Sequence, residues 1–482
     1  MRTQLLLFAA LMAPLSNAAE SAIPQDPAKM EQRRLESLEW NRRSLGEAYD
    51  KVGKRDKRWD AAAREALDKA ARRFSQQVDP VVTTDDIHVA TKKAIAAGCN
   101  DPMILYLYAR TTEGKAYPGP EAYEKRFRDA GKAMAASRYA PSRRALAIIK
   151  AAEFLCWKEG ISAEQRREAE RQLDAALDLL PASVTEEQRN YDWENNWYNS
   201  ANAALYAHKQ LSKDLAGAHA KVDAKLAKVK GAEFLRFALQ GNILIAQGWE
   251  ARTSATAALV SQEQFRVFEA RLGEARVAFE KAWALKPGMP NVAFPMLIVE
   301  KGIGGGDREK MEVWFERAMM ANGNDREACW EKLEWLDPKW HGGETRDAML
   351  AFGQECFATK NWSSGIPLIG AEAYLRQFVT LPDAERQEYL AQDKVWSDIR
   401  PAYVEYLEGR PYDEDQWRSK YAALCFFAGR YRESNKQFKL LGDRLVSWPS
   451  LPIFPLEHLK KYGEAAAMIV EKENKTGARI SK

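Results

Sequence analysis

FEARLGEARVAFEKAWALKPGMP, residues Phe268 to Pro290, decides the fold. From Ala275, steps of four, three and five land on Phe279, Ala282 and Pro287. The first three positions share one face of a helix, with charged residues between them, and Pro287-Gly288 stops the helix. The same steps from Ala169 land on Leu173, Ala176 and Pro181. Small residues let two helices approach closely, and the large residue between them fills the gap.

This spacing is that of the second helix of a tetratricopeptide repeat (TPR), and it predicts stacked helical hairpins. Met311, Phe315 and Ala318 form a third copy without the final Pro. Ala422, Gly429, Tyr431 and Phe438 suggest a fourth, and Ala130, Met134 and Ser137 a fainter one. Outside these copies, apolar spacing of three and four continues along nearly the whole chain, with little strand-like alternation. Ser162-x-x-Gln165, Ser183-x-x-Glu186 and Ser261-x-x-Gln264 each offer a capping box. Pro181, Pro287-Gly288 and the run Lys301 to Gly306 read as helix stops. The expected class is all-α, an irregular TPR-like α-solenoid of roughly twenty helices. Its expected parts are 1–19, a signal peptide; 20–215, an N-terminal helical-repeat region; 216–345, a central TPR-like domain; and 346–482, a C-terminal helical-repeat region.

Composition narrows the function. The 482 residues carry 72 Lys and Arg against 68 Asp and Glu, a formal charge of +4. A chain this near neutrality lacks the field of a dedicated nucleic-acid binder. With 46% hydrophobic and 29% charged residues it is an ordinary globular composition, not a disordered one. Arg2, the apolar run Leu5 to Ala13, and Ser16-Asn17-Ala18 predict a cleavable signal, hence a periplasmic or secreted protein. No Cys stands near that cleavage site, so no lipid anchor is expected there, and no later run of about 18 apolar residues predicts a membrane span. The five cysteines, Cys99, Cys156, Cys329, Cys356 and Cys425, read chiefly as small buried hydrophobes. An oxidising compartment permits a disulfide, and Cys329 with Cys356 are the nearest pair in sequence.

The blocks GWEARTSA, FEARLGEARVAFEKAWALKPGMP, WFERAMMANGNDREACWEKLEWLDPKWHGG and AMLAFGQEC, between Gly248 and Phe357, resemble a family of uncharacterised bacterial exported proteins with a TPR-like domain of unknown function. GCNDPMILYLYAR, Gly98 to Arg110, is similar to the same proteins. The resemblance implies the hairpin fold and an extracytoplasmic location. It implies no activity and no catalytic residues.

Two segments concentrate unusual chemistry. In YDWENNWYNSANAALY, Tyr191 to Tyr206, Trp193 and Trp197 share a helical face while Asp192, Asn196 and Asn199 lie on a neighbouring one. With Tyr198 alongside, that surface suits a sugar or a peptide backbone, unless the rings are core. The second cluster is Trp314, Trp330, Trp335 and Trp340 with His341, around LDPKWHGG. There a loop Trp and His beside Gly342-Gly343 either line a groove or pin a turn. The five His show no HExxH, and Gly217 argues that His208 and His219 do not share one helix. No GxSxG, Walker A or GxGxxG motif occurs. No metal, cofactor or catalytic residue is expected. The leading reading is a non-enzymatic scaffold for a protein or peptide partner. The alternative is a glycan-binding or glycan-cleaving envelope protein, for which 15 Trp supply stacking faces and Asp192 or Glu194 is the candidate acid.

Overall fold

The computed structural model describes residues 23–75, 81–112, 117–190, 196–254, 259–411, 413–447 and 455–477; the side chains of 189, 190, 196–199 and 383 are outside it. These residues are mostly helical, and no strand occurs among them. In chain order the helices are α1 Pro27–Arg42, α2 Ala48–Val52 (joined to α1 by a π turn, Arg43–Glu47), α3 Asp60–Phe74, α4 Thr84–Ala96, α5 Pro102–Arg110, α6 Pro120–Ala135, α7 Pro141–Cys156 and α8 Ala163–Asn190. Then come α9 Asn196–Ser212, α10 Leu215–Leu226, α11 Glu233–Arg252, α12 Gln262–Leu285, α13 Pro290–Gly302, α14 Arg308–Ala321 and α15 Arg326–Trp335. The last are α16 Asp347–Ala358, α17 Ile366–Phe378, α18 Asp383–Ala391, α19 Asp393–Glu408, α20 Glu414–Phe427, α21 Tyr431–Leu441 and α22 Leu456–Thr476.

Local chemistry sets most of these boundaries. Ser261 Oγ accepts from Gln264 N at 3.2 Å while Gln264 Oε1 accepts from Ser261 N at 2.9 Å, a full capping box at the start of α12. Ser162 and Gln165 do the same before α8, at 3.1 and 2.9 Å respectively. The stops at Pro287-Gly288 and after Lys301 also hold, since α12 ends at Leu285 and α13 at Gly302. His208 and His219 fall on separate helices, although the break comes at Asp214, which caps α10 by accepting from Gly217 N.

Pro181 departs from expectation, because α8 runs through it to Asn190. The ring removes one backbone hydrogen bond, a cost of about 3 kcal/mol in a helix interior. Burial on both sides opposes that cost: Leu180 and Val184 are 1% and 0% exposed. Ser183 is therefore no cap. It lies in mid-helix, where its hydroxyl donates to Leu179 O at 2.9 Å, and Thr185 donates likewise to Pro181 O.

The spacing that predicted the hairpins is the buried face. Ala169, Leu173 and Ala176 on α8, Ala275, Phe279 and Ala282 on α12, and Met311, Phe315 and Ala318 on α14 are all buried. So are Ala130 and Met134 on α6, whereas Ser137 lies beyond the end of that helix. On α11, Gly241 shows what the small positions do. A Cβ there would lie 2.6 Å from the Phe279 ring, so α11 and α12 cross at a distance only glycine allows.

Neighbouring helices pack pairwise along the chain. The odd-numbered helices from α7 to α19 also form an unbroken series in which each touches the next odd-numbered one, while α12, α14 and α16 pack chiefly on their sequence neighbours. Three apolar cores result: one mainly within α1 to α7, a large central one spanning α7 to α17, and one from α16 to α22. The N-terminal segment returns to the middle of the chain. Ile23 is buried in the central core, Lys29 Nζ donates to Met320 O at 2.9 Å, and Gln25 Nε2 to Gly323 O at 3.2 Å. All five cysteines are buried free thiols. No helix among the described residues is long and apolar enough to cross a membrane.

Candidate functional site

Of the predicted site residues, Trp193 lies outside the described residues, as does the predicted signal segment; Asn196, Trp197 and Tyr198 begin α9, with side chains likewise outside them. Trp340 and His341 are placed, and their surroundings decide between lining a groove and pinning a turn. After α15 ends at Trp335, Trp340 N and Gly342 N donate to Asp337 O at 2.8 and 3.2 Å. A Cβ on Gly342 would strike Leu336 O at 1.8 Å, which explains the first Gly of the pair. His341 Nε2 lies 2.8 Å from Lys301 O, and its ring fills the space over Gly306 and stands 5.0 Å from Trp335. It ties the α13–α14 turn to the α15–α16 turn. Trp340 stands edge-on to Trp249 of α11 at 6.1 Å, with Lys301 Nζ 5.2 Å above its ring. Lys301 is itself paired with Glu331 at 2.6 Å, and burial raises the Glu331 carboxyl pKa while Lys301 opposes that rise. The turn is pinned on both sides.

This arrangement recurs and explains the high Trp count. Trp40, Trp59, Trp249, Trp283, Trp314, Trp330, Trp340, Trp396 and Trp417 each have an Arg or Lys head group over the ring. Such contacts contribute about 0.5–2 kcal/mol each, depending on desolvation. They place most of the Trp surface against the protein itself. Among the described residues Trp157, at 65% exposure just past α7, is the exception.

One tryptophan pair borders open space. Trp283, half-buried near the C-terminal end of α12, meets Trp314 of α14 edge-to-face at 5.6 Å. Arg317, one turn beyond Trp314, lies 4.3 Å over that ring and 5.4 Å over Trp283. The cleft beside them holds about 570 Å³ and is lined by Glu280, Trp283, Ala284, Glu300, Asp307, Glu309, Lys310, Val313, Trp314 and Arg317. On α13, Glu300 is 2% exposed, and Arg276 donates to both its oxygens at 3.0 and 2.7 Å. Burial raises the Glu300 pKa and Arg276 counters it. Asp307 caps α14 through Lys310 N at 3.1 Å, and its bond to the Lys310 side chain holds its pKa below the ordinary value. Glu280 and Glu309 are exposed, and Arg317 makes no ion pair among the described residues.

The cleft thus offers aromatic surface, free acceptors and a free donor, the means to hold a polar ligand with flat faces. Glu300, locked by Arg276, is not placed as a proton donor. Sequence reading named Trp314 but missed Trp283 and Arg317. The signal was the i, i+3 pairing of Trp314 with Arg317 and a Trp four residues after Phe279. Among the described residues no three His, Cys, Asp or Glu side chains group as metal ligands. No family model, curated protein or solved structure matches this chain.

Proposed function

We propose that this chain is an exported, non-enzymatic TPR-like scaffold that binds a protein or peptide partner. The observation that carries the reading is the series of odd-numbered helices from α7 to α19, each touching the next odd one, while α12, α14 and α16 pack chiefly on their sequence neighbours. Helices in contact at every step form the inner layer of a curved array, and such a layer presents a concave surface to a partner. The test is a crosslinking pull-down from envelope extract with the mature chain as bait. A folded control carries Lys or Glu at exposed positions of the inner helices, such as Gln240 on α11 and Glu327 on α15. A stoichiometric protein lost with the control supports the scaffold; equal recovery on both baits, or no protein at all, overturns it. N-terminal sequencing of envelope and cytosolic fractions tests export, the expected result being an envelope form that lacks the signal segment.

The Trp283–Trp314 cleft favours a second reading, a glycan binder. Its volume suits one or two sugar rings, and exposed Glu280 and Glu309 beside Arg317 supply hydrogen-bonding groups of both kinds. Calorimetry with N-acetylglucosamine oligomers tests it on wild type and Trp283→Ala. Heat that disappears in the variant supports this reading, and no heat with wild type removes it.

A further inference from the structure

Cys329 lies on α15 and Cys356 on α16, consecutive helices in contact. Both are fully buried, at 0% exposure, in the same apolar core, and the Cys356 thiol lies beside Cys329. Cys329 Sγ also lies 3.8 Å from Met319 Sδ, so the pair sits in a sulfur-rich, buried part of the central core. Cys99, Cys156 and Cys425 belong to other helix pairs, before α5, at the end of α7 and on α20.

We propose that Cys329 and Cys356 are a disulfide site, closed when the chain folds in the presence of a disulfide donor, so that α15 is covalently stapled to α16. One thiolate attacks the donor disulfide to form a mixed disulfide and releases one donor thiolate. The second cysteine thiolate then displaces the other donor half. The two cysteines lose two protons and two electrons, and the donor is reduced to two thiols. The exchange takes place before the helices close, because burial raises the Cys356 pKa and hides both sulfurs from a donor. The crosslink encloses Trp330 to Glu355, the segment that holds the LDPKWHGG turn, and limits the freedom of that loop in the unfolded chain. This assignment is independent of the partner or ligand, but it has consequences only where disulfides persist.

The full chain, unfolded and reduced, is refolded in a buffer of oxidised and reduced glutathione, with a parallel sample in dithiothreitol. Alkylation, proteolysis and mass spectrometry then count thiols and map linkages. The expected result is three free thiols and a Cys329–Cys356 peptide pair in the first sample, and five free thiols in the second. Cys329→Ser and Cys356→Ser should each yield four free thiols. The oxidised chain should melt roughly 3–4 °C above the reduced one. Five free thiols after oxidative refolding, or a crosslink through any other cysteine, overturns the proposal. Should refolding yield be low, native reduced protein is held in the same glutathione buffer with sub-denaturing urea. There too the Cys329–Cys356 peptide pair supports the proposal, and five free thiols or another crosslink overturns it.

Discussion

The central hairpins and the C-terminal bundle satisfy one architecture with opposite chemistry. At the α11–α12 crossing the contact is a matter of shape: Phe279 sits on Gly241, Trp249 meets Phe268 edge-on at 4.9 Å, and the wider central core is mostly aliphatic and Ala-rich. In the bundle from α16 to α22 the core is built of rings. Tyr403 and Tyr421 stack at 5.2 Å and 13°, Trp396 lies parallel to Tyr421 at 6.3 Å, and Trp417 closes on Tyr403. A fully buried ion pair, Lys420 with Glu372, joins α20 to α17 inside that core. Interlocking shapes tolerate no added volume, whereas a buried pair tolerates no loss of one charge. The two regions should therefore fail under different substitutions.

The largest effect is expected in the bundle. Lys420→Met leaves Glu372 charged and buried without its partner, a loss of about 3–5 kcal/mol. Replacing both, with Lys420→Met and Glu372→Leu, should restore stability to within about 1 kcal/mol of wild type. Urea unfolding of the three proteins decides it. A double variant as unstable as the single would show that the pair is not what holds α17 to α20.

The central crossing should lose less. Gly241→Ala drives a methyl group into the Phe279 ring and should cost about 1–3 kcal/mol. Adding Phe279→Leu, which vacates that space, should make the alanine cheaper than it is in wild type. Strict additivity of the two changes would place the strain elsewhere.

What the sequence revealed divides along the same line. Ala275, Phe279 and Ala282 were legible because shape interlock writes a period of small and large residues into one helix. Lys420 and Glu372 lie 48 residues apart, and nothing local marks either as buried. The α8 boundary departs from its local signals for a related reason. Pro181 and Ser183 are strong markers of a stop and a start, but burial of Leu180 and Val184 outweighs them. The Trp283–Trp314 cleft was only half legible, since an edge-to-face contact between α12 and α14 has no signature within either helix.

The capping boxes sharpen this point at a smaller scale. Ser261→Ala should cost about 1 kcal/mol, because it removes the acceptor for Gln264 N. Ser183→Ala should stay within about 0.5 kcal/mol of wild type, because that hydroxyl only donates to a carbonyl in mid-helix, Leu179 O. Equal losses at the two positions would restore Ser183 as a true helix start.

The smallest expected effect depends on pH. Asp325 caps α15 by accepting from Ala328 N at 3.0 Å, and burial pushes its carboxyl up to about 6, with the like charge of Glu327 adding to the rise. A carboxyl whose pKa is raised on folding binds its proton more readily in the folded chain than in the unfolded one. Its contribution therefore favours folding at acidic pH and is lost as pH rises through about 6. The residue is only half-buried by area, so solvent screening reduces the effect to under about 1 kcal/mol. Asparagine in its place keeps the capping oxygen and cannot titrate. Urea midpoints at pH 7 and pH 5 should thus rise for wild type relative to Asp325→Asn on acidification. A difference between the two proteins that stays constant with pH would mean that Asp325 remains ionised in the folded chain, its cap hydrogen bonds outweighing its burial.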